Sequence, residues 1–158
     1  MKLYWRKTPF TWIASKTQFR DKNKLNFEKG VTPPDDVALL STRLLECGGK
    51  RVCVRYPEPD MKLILQHGSV FPTDGLILQT GLDRECHSNS SILWLKDKWN
   101  LHICTGYGLT GDDQMWRQHT WLSTKQGQKI IETTIKREMY YGVVLRGLKA
   151  FLFAKMNA

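Results

Sequence analysis

Three residues in the second half of the sequence have the types and the order needed for nucleophilic chemistry. Cys86 lies in RECHSNSSILWLK, where an irregular segment is expected to become a helix. The free amides and the dipole at the start of a helix stabilise a thiolate. His119, in MWRQHTWLS, belongs to the residue type that best accepts and returns a thiol proton near neutral pH. Glu132, in KIIETTI, supplies a carboxylate that can orient the imidazole.

The spacing of His119 and Glu132 predicts that two adjacent strands bring them together. If the QG dipeptide at 126–127 is a two-residue turn, Trp121 lies opposite Glu132, and His119 lies diagonal to Glu132 on the same face. Shortening each strand end by one residue pairs His119 directly with Glu132. A three-residue loop would instead turn Glu132 to the opposite face of the sheet.

Acyl chemistry also needs hydrogen-bond donors for an oxyanion and side chains that form a substrate cleft. The backbone amide of Cys86 is one expected donor, because it lies at the start of the helix. The sequence does not distinguish which nearby side chain supplies the second donor. Candidates for this donor or for the wall of the cleft are His87, Asn89, Tyr107, Trp116, Gln118 and Trp121. The aromatic members of this group, with Trp94, are equally compatible with a buried core.

The order of a cysteine at a helix start, HTW on a strand and a carboxylate on the next strand resembles the papain-like cysteine hydrolases. The closest branch is the transglutaminase-like one, in which a histidine in an H-x-W context follows the cysteine helix. The resemblance covers about residues 81–145. It implies that Cys86 is a nucleophile, His119 its base and Glu132 the orienting group of a hydrolase such as a thiol protease, an amidase or an acyltransferase. It implies no cofactor, and a peptide or small amide or ester as the substrate.

The sequence predicts a single α+β domain, 1–158, in which a helical half precedes an antiparallel β-meander. Residues 1–35 are expected to form an irregular basic arm with short strands, and residues 36–80 a helix and short strands. Residues 81–145 are the part that the resemblance implies to be the cysteine-hydrolase core. DDVALLSTRLLECGGK predicts a helix that ends at its glycines, and MKLILQHG is either a strand or a helix. The helix after Cys86 is expected to present Ile92, Leu93, Leu95 and Trp99 as its apolar side.

The composition of the chain narrows the class of protein. The chain has 158 residues, 41% of them hydrophobic, and no stretch approaches the ~20 apolar residues that cross a bilayer. The first residues contain no apolar run typical of a secretory leader, which favours a cytoplasmic protein with four unbridged cysteines. A zinc site built from Cys86, His87, His102 and Cys104 has unsuitable spacing, so no metal is expected. Asp112 and Asp113 are an alternative source of the orienting carboxylate.

The net charge of +9 supports a second, non-enzymatic hypothesis. A basic surface attracts phosphate, so nucleic acid is a possible partner. However, the basic residues are dispersed, and the densest cluster, RDKNKLNFEKG, is interrupted by acids. The alternative is therefore a basic α+β adaptor that binds a protein or nucleic-acid partner. The reactivity of the thiols separates the two hypotheses, because only an enzyme needs one fast-reacting cysteine.

Overall fold

In the part of the chain that the structure describes, a nine-stranded, mostly antiparallel sheet with helices packed against it confirms the predicted α+β class. The computed structural model describes residues 10–16, 25–28 and 32–158, and predictions for the rest of the N-terminal arm fall outside these ranges. The strands are β1 (Phe10–Lys16), β2 (Leu25–Phe27), β3 (Arg51–Tyr56), β4 (Ser69–Phe71), β5 (Ile77–Leu78), β6 (Leu101–Thr110), β7 (Met115–Thr124), β8 (Ile130–Glu132) and β9 (Met139–Leu145). The helices are α1 (Asp35–Cys47), α2 (Met61–His67), α3 (Cys86–Lys96) and α4 (Gly147–Asn157).

The strands run in the order β2-β1-β3-β7-β6-β9-β4, with β8 placed between β7 and β5. Two pairs are parallel, β3 with β7 and β5 with β8. The predicted meander is right for β6, β7 and β8 but wrong for β9, which pairs with β6. The second edge of β8 is already occupied by β5, so β9 must cross to the free edge of β6.

Three local predictions need correction or completion. MKLILQHG forms a helix, α2, and the C-terminal helix α4 was not anticipated. The apolar side proposed for α3 is wrong for Ile92, which is 40% exposed, and for Trp99, which lies beyond the helix end and is 78% exposed. Leu93 and Leu95 do pack, partly buried, against the core. The buried side consists of Asn89, Ser90, Ser91 and Trp94. Small polar side chains allow this helix to approach the sheet closely, which hydropathy alone does not reveal.

The two faces of the sheet carry different cores. All four described helices contribute to the larger core, which includes Leu40, Ile64, Trp94, Phe153 and, from the sheet, Trp116. We call this side the helix face. The opposite side, the histidine face, carries a smaller cluster of Cys104, Trp121, Ile130 and Tyr140. Because side chains alternate along a strand, His119 shares this second face with Trp121.

Two facing glycines make room for the aromatic side chains of the histidine face. Gly106 pairs with His119 on one side and with Gly142 on the other. A Cβ atom added at Gly142 would lie 2.8 Å from the Trp121 ring and 2.3 Å from the carbonyl oxygen of Thr105. The absence of side chains at both positions therefore lets the large rings lie flat against the strands.

Candidate active site

The nucleophile candidate lies at the first residue of α3, as the sequence predicted. Glu85 precedes the helix and makes no side-chain capping bond to it. The helix is fixed against the sheet by Ser90, whose Oγ donates to the carbonyl oxygen of Thr120 at 3.3 Å. Cys86 is partly exposed, whereas Ser90 is fully buried. Cys86 is therefore held at a defined position, and the residue keeps part of its surface exposed.

A gap along one edge of β7 receives the start of α3. On that edge β3 pairs with residues 115–117 and β8 with residues 122 and 123, while β6 occupies the whole opposite edge. Residues 118–121 lie between these two pairings. The backbone amide of Thr120 is therefore free to hydrogen-bond the Cys86 sulfur, and it does so.

The thiol of Cys86 also hydrogen-bonds the imidazole of His119. Burial raises the pKa of Cys86, but the charge of His119, its hydrogen bond and the Thr120 amide outweigh burial and leave the pKa below its ordinary value. Burial likewise lowers the pKa of His119, yet Cys86 and Glu132 together raise it to about 9. The two shifts both favour a thiolate beside an imidazolium.

Glu132 binds the far side of the same imidazole. His119 Nε2 donates to Glu132 Oε2 at 2.8 Å, and both side chains are almost completely buried. An ionised carboxylate can only accept, so Nε2 carries the proton and Nδ1 is the nitrogen left for Cys86. The pairing of Leu122 with Ile131 gives the register expected for the 126–127 turn. The predicted diagonal relation of His119 and Glu132 is therefore confirmed.

Four donors converge on the Glu132 carboxylate. Tyr140 donates its hydroxyl to Oε2 at 2.7 Å, beside the His119 bond. Thr134 donates its backbone amide and its hydroxyl to Oε1 at 2.8 and 2.9 Å. Burial raises the pKa of Glu132, but the bonds from His119, Tyr140 and Thr134 outweigh it and lower the pKa to about 2. The carboxylate therefore stays ionised although it is buried.

Sequence reasoning did not identify Tyr140 and Thr134 as parts of this site. Thr134 follows Glu132 by two residues, so the IETT sequence carried a local signal that the carboxylate could be held by the next turn. Tyr140 had no such signal, because it reaches Glu132 only when β9 crosses to β6. Its contact depends on a strand order that periodicity does not encode.

Asn89, a candidate donor, is instead part of the support of the site. Its Nδ2 donates to the carbonyl oxygens of Leu82 at 2.7 Å and Thr133 at 3.3 Å, and its Oδ1 accepts from the Leu82 amide at 3.0 Å. Gly81 donates its amide to Thr133 as well, at 2.9 Å. Asn89 therefore ties α3 to the segment beside Glu132 and has no polar atom left for an oxyanion.

His87 and Gln118 form a pair on the helix face of the site. His87 Nδ1 lies 2.5 Å from Thr120 Oγ1, and a hydrogen bond with the Gln118 side chain occupies its other nitrogen. Burial first, and the charge of His119 second, lower the pKa of His87 to about 3, so it is neutral at physiological pH. Gln118 Nε2 is buried and has no hydrogen-bond partner among the described residues.

The aromatic candidates lie in the interior and do not line an open cleft. Trp116 donates Nε1 to the carbonyl oxygen of Gly48 at 2.9 Å, and Tyr107 donates its hydroxyl to Glu58 at 3.1 Å. Both rings are fully buried in the core of the helix face. Trp121 is also fully buried, but it stacks on the His119 ring, with 6.2 Å between centroids. Of the three, only Trp121 contacts the candidate catalytic residues.

Asp113, His102 and Cys104 lie outside the series formed by Cys86, His119 and Glu132. Asp113 is paired with Arg117, and Glu132 holds the place of the orienting carboxylate. His102 and Cys104 lie on β6, and the Cys104 sulfur contacts Ser123 Oγ at 3.5 Å. Within the described ranges no group of three or more His, Cys, Asp or Glu side chains could hold a metal ion.

No helix in those ranges is long and apolar enough to span a membrane.

Comparisons with protein-family models, with curated proteins and with solved structures give no match for this chain. The function of the chain is therefore inferred from the geometry of the site.

Proposed function

We propose that the chain is a cysteine-dependent acyl-transfer enzyme of the papain-like, transglutaminase-like type. The observation that carries this proposal is the continuous hydrogen-bonded series from Cys86 through His119 to Glu132. A nucleophile, a base and an orienting carboxylate in this order are what thiol-based acyl transfer requires. Cys86 is partly exposed and the other two are buried behind it, so a substrate reaches Cys86 first and its leaving group must come within hydrogen-bond distance of His119 Nδ1, beside the sulfur.

The proposed reaction has two steps, acylation of Cys86 and release of the acyl group. The Cys86 thiolate attacks the carbonyl carbon of an amide or ester, and the imidazolium of His119 gives its Nδ1 proton to the leaving amine or alcohol as the carbonyl–heteroatom bond breaks. A water molecule or an amine then attacks the thioester while His119 accepts its proton, which releases the acyl product and restores the thiolate. Glu132 holds the ring and stabilises its positive charge in both steps.

Gln118 is the best candidate for the side-chain donor of the oxyanion hole. Asn89 has used its polar atoms, and His87 is engaged by Thr120 and by Gln118 itself. Gln118 Nε2 is buried without a partner in the described part of the chain, next to the first turn of α3. A buried amide donor that is unpaired in the free enzyme and paired in the transition state contributes selectively to catalysis. The backbone amide of Cys86 is the second donor.

The substrate class is an amide or ester, with peptides included. The cysteines at 47, 53, 86 and 104 are all unpaired, which agrees with a reducing compartment such as the cytoplasm. No prosthetic group is required by these two steps, because the thiolate and the imidazolium supply the nucleophile and the acid.

Alkylation by limiting iodoacetamide between pH 5 and 9, followed by mapping of the modified residue, tests the proposal. We expect Cys86 to react first and to remain reactive below the pH at which ordinary thiols lose reactivity, because its pKa is lowered. His119→Asn should slow the reaction at pH 6, because it removes the charge and the hydrogen bond that lower the pKa of Cys86.

Cys53→Ser serves as the matched control. Cys53 is also partly exposed, but burial raises its pKa, so its loss should leave the fast phase unchanged. Four thiols that react slowly and alike would contradict the enzymatic proposal. Together with salt-sensitive binding to an anionic partner, that result would favour the basic adaptor instead.

A further inference from the structure

Two adjoining clefts open at the edge of β9 beyond the point where β4 stops pairing with it. The larger measures about 530 Å³ and the smaller about 230 Å³. They share Ser69, Phe71, Val144 and Arg146 in their walls, so they meet along the edge of β9, the larger on the helix face and the smaller on the histidine face. We call the two clefts together the depression. Volumes of a few hundred Å³ suit small organic ligands, rather than the flat surface typical of a macromolecular contact.

The side chains around this depression are unusually basic. Its described walls contain His67, His102, Lys125, Arg146 and Lys149, and none of the described lining residues is Asp or Glu. Lys149 Nζ is neutralised by Asp60 at 2.8 Å. Lys125 Nζ donates to the backbone carbonyl of Lys98 at 3.0 Å. Arg146 and Lys125 therefore keep their charge without a carboxylate partner in the described ranges.

The positive charges of Arg146 and Lys125 act on a third basic side chain, that of His102. Burial lowers the pKa of His102, and the charges of Arg146 and Lys125 lower it further. All three residues line the smaller cleft. An anion bound between them would offset the repulsion and would raise the pKa of His102 again.

Each cleft has apolar wall residues. Phe71 and Val144, which pack on the cluster of the histidine face, line both clefts, whereas Leu63 and Val143 line only the larger one, on the helix face. Phe71 is held edge-on against Trp121, with 5.1 Å between ring centroids. A ligand that fits both parts combines a compact anionic group with an apolar portion.

We propose that the smaller cleft binds a small organic phosphate, with the phosphate held by Arg146, Lys125 and His102 and the apolar portion on Phe71 and Val144. A guanidinium fork beside an ammonium suits a doubly charged phosphate better than a single carboxylate. The site uses none of the residues of the acyl-transfer proposal and does not depend on it. A Cys86→Ser variant should therefore bind the phosphate unchanged.

Calorimetry with phenyl phosphate and with inorganic phosphate at low salt tests the proposal. We expect Arg146→Gln to weaken phenyl phosphate binding about tenfold or more, because it removes charge-assisted hydrogen bonds to the phosphate. Lys125→Gln should weaken it by a smaller factor. Phenyl phosphate should bind more tightly than inorganic phosphate, and NMR should show an increase in the His102 pKa on binding.

Lys155→Gln provides the matched control, since Lys155 is exposed on α4 outside both clefts and the change removes the same charge. Equal losses for Arg146→Gln and Lys155→Gln would overturn the proposal, because net charge alone would then explain the attraction. An unchanged His102 pKa at saturating phosphate would overturn it as well. If Arg146→Gln fails to fold, Lys125→Gln, at an exposed position, carries the same comparison with Lys155→Gln.

Discussion

Two buried glutamates in different regions of this protein have opposite protonation states. Glu132, at the end of β8, is fully buried, and its pKa falls to about 2 because the bonds from His119, Tyr140 and Thr134 outweigh burial. Glu58, between β3 and α2, is 5% exposed, and burial raises its pKa to about 8. Equal burial thus gives an ionised carboxylate in one region and a neutral one in the other at pH 7.

The difference lies in the partners that each region supplies. Glu58 accepts the Tyr107 hydroxyl at 3.1 Å and the Asp60 amide at 3.4 Å, while the charge of Asp60 acts against ionisation. No cation is bonded to Glu58 in the described part of the chain. Glu132 has four short bonds, one of them from a histidine that is itself protonated. Burial alone does not mark a functional carboxylate, whereas convergence of donors and a cation does.

Replacing the ionised member of this pair should cost the most stability. In Glu132→Gln, the amide NH₂ must face either Thr134 or the His119 and Tyr140 donors, because all four contacts of the carboxylate come from donors. We expect a loss of ~3–5 kcal/mol in the free energy of unfolding at pH 7. Urea unfolding monitored by tryptophan fluorescence measures it.

Glu58→Gln is the matched control for that substitution. A neutral amide resembles the protonated carboxyl that Glu58 presents at pH 7, so its free energy of unfolding should change little or increase. Equal losses of unfolding free energy in the two variants would show that burial, and not the hydrogen-bond partners, decides the protonation state of each glutamate.

The His119–Glu132 relation was accessible from the sequence because hairpin geometry is local. A turn centred on residues 126 and 127 fixes the register of β7 and β8, and alternation then fixes which side chains share a face. The α+β class followed in the same way from helical and strand-like periods. These features depend on residues close together in the chain.

The rest of the site depends on contacts between distant segments. Tyr140 reaches Glu132 because β9 pairs with β6, and Asn89 is buried because residues 81–82 and 133 fold against α3. Ser90 and Ser91 are buried on α3, although hydropathy predicts that Ile92 is buried there instead. The parallel pairing of β3 with β7, which leaves the gap for Cys86, joins segments about sixty residues apart. No short-range pattern encodes these choices.

Because Glu58 is protonated in the folded protein, the free energy of unfolding should depend on pH. Between the ordinary pKa of 4.5 and the folded value of about 8, the folded protein keeps the Glu58 proton and the unfolded chain does not. The contribution of Glu58 is therefore fully present below pH 4.5 and is lost as pH rises through about 8. Relative to Glu58→Gln, the wild type should lose ~2–3 kcal/mol between pH 5 and 7.5.

Urea unfolding of both proteins across this range isolates the contribution of Glu58, because shifts at other groups cancel in the difference. His119, whose folded pKa is raised, also favours the folded state below its ordinary pKa and loses that contribution as pH rises through about 9. Glu132 adds no slope there, since its depressed pKa matters only as pH falls from 4.5 through about 2. A constant difference between the two proteins would mean that Glu58 is ionised throughout.

A smaller effect is expected at the two tyrosines that donate to these carboxyl groups. At pH 6, Tyr140 donates to an ionised carboxylate at 2.7 Å, whereas Tyr107 donates to a protonated one at 3.1 Å. A bond to a charged acceptor is about twice as strong as a neutral one. Tyr140→Phe should therefore cost ~1.5–2 kcal/mol of unfolding free energy and Tyr107→Phe ~0.5–1 kcal/mol. Tyr140→Phe also removes the hydroxyl that accepts the Arg137 amide at 3.2 Å, which adds to its cost. Urea unfolding of both variants at pH 6 and pH 9 measures the costs. Equal costs at both pH values would show that the two carboxyl groups do not differ in charge.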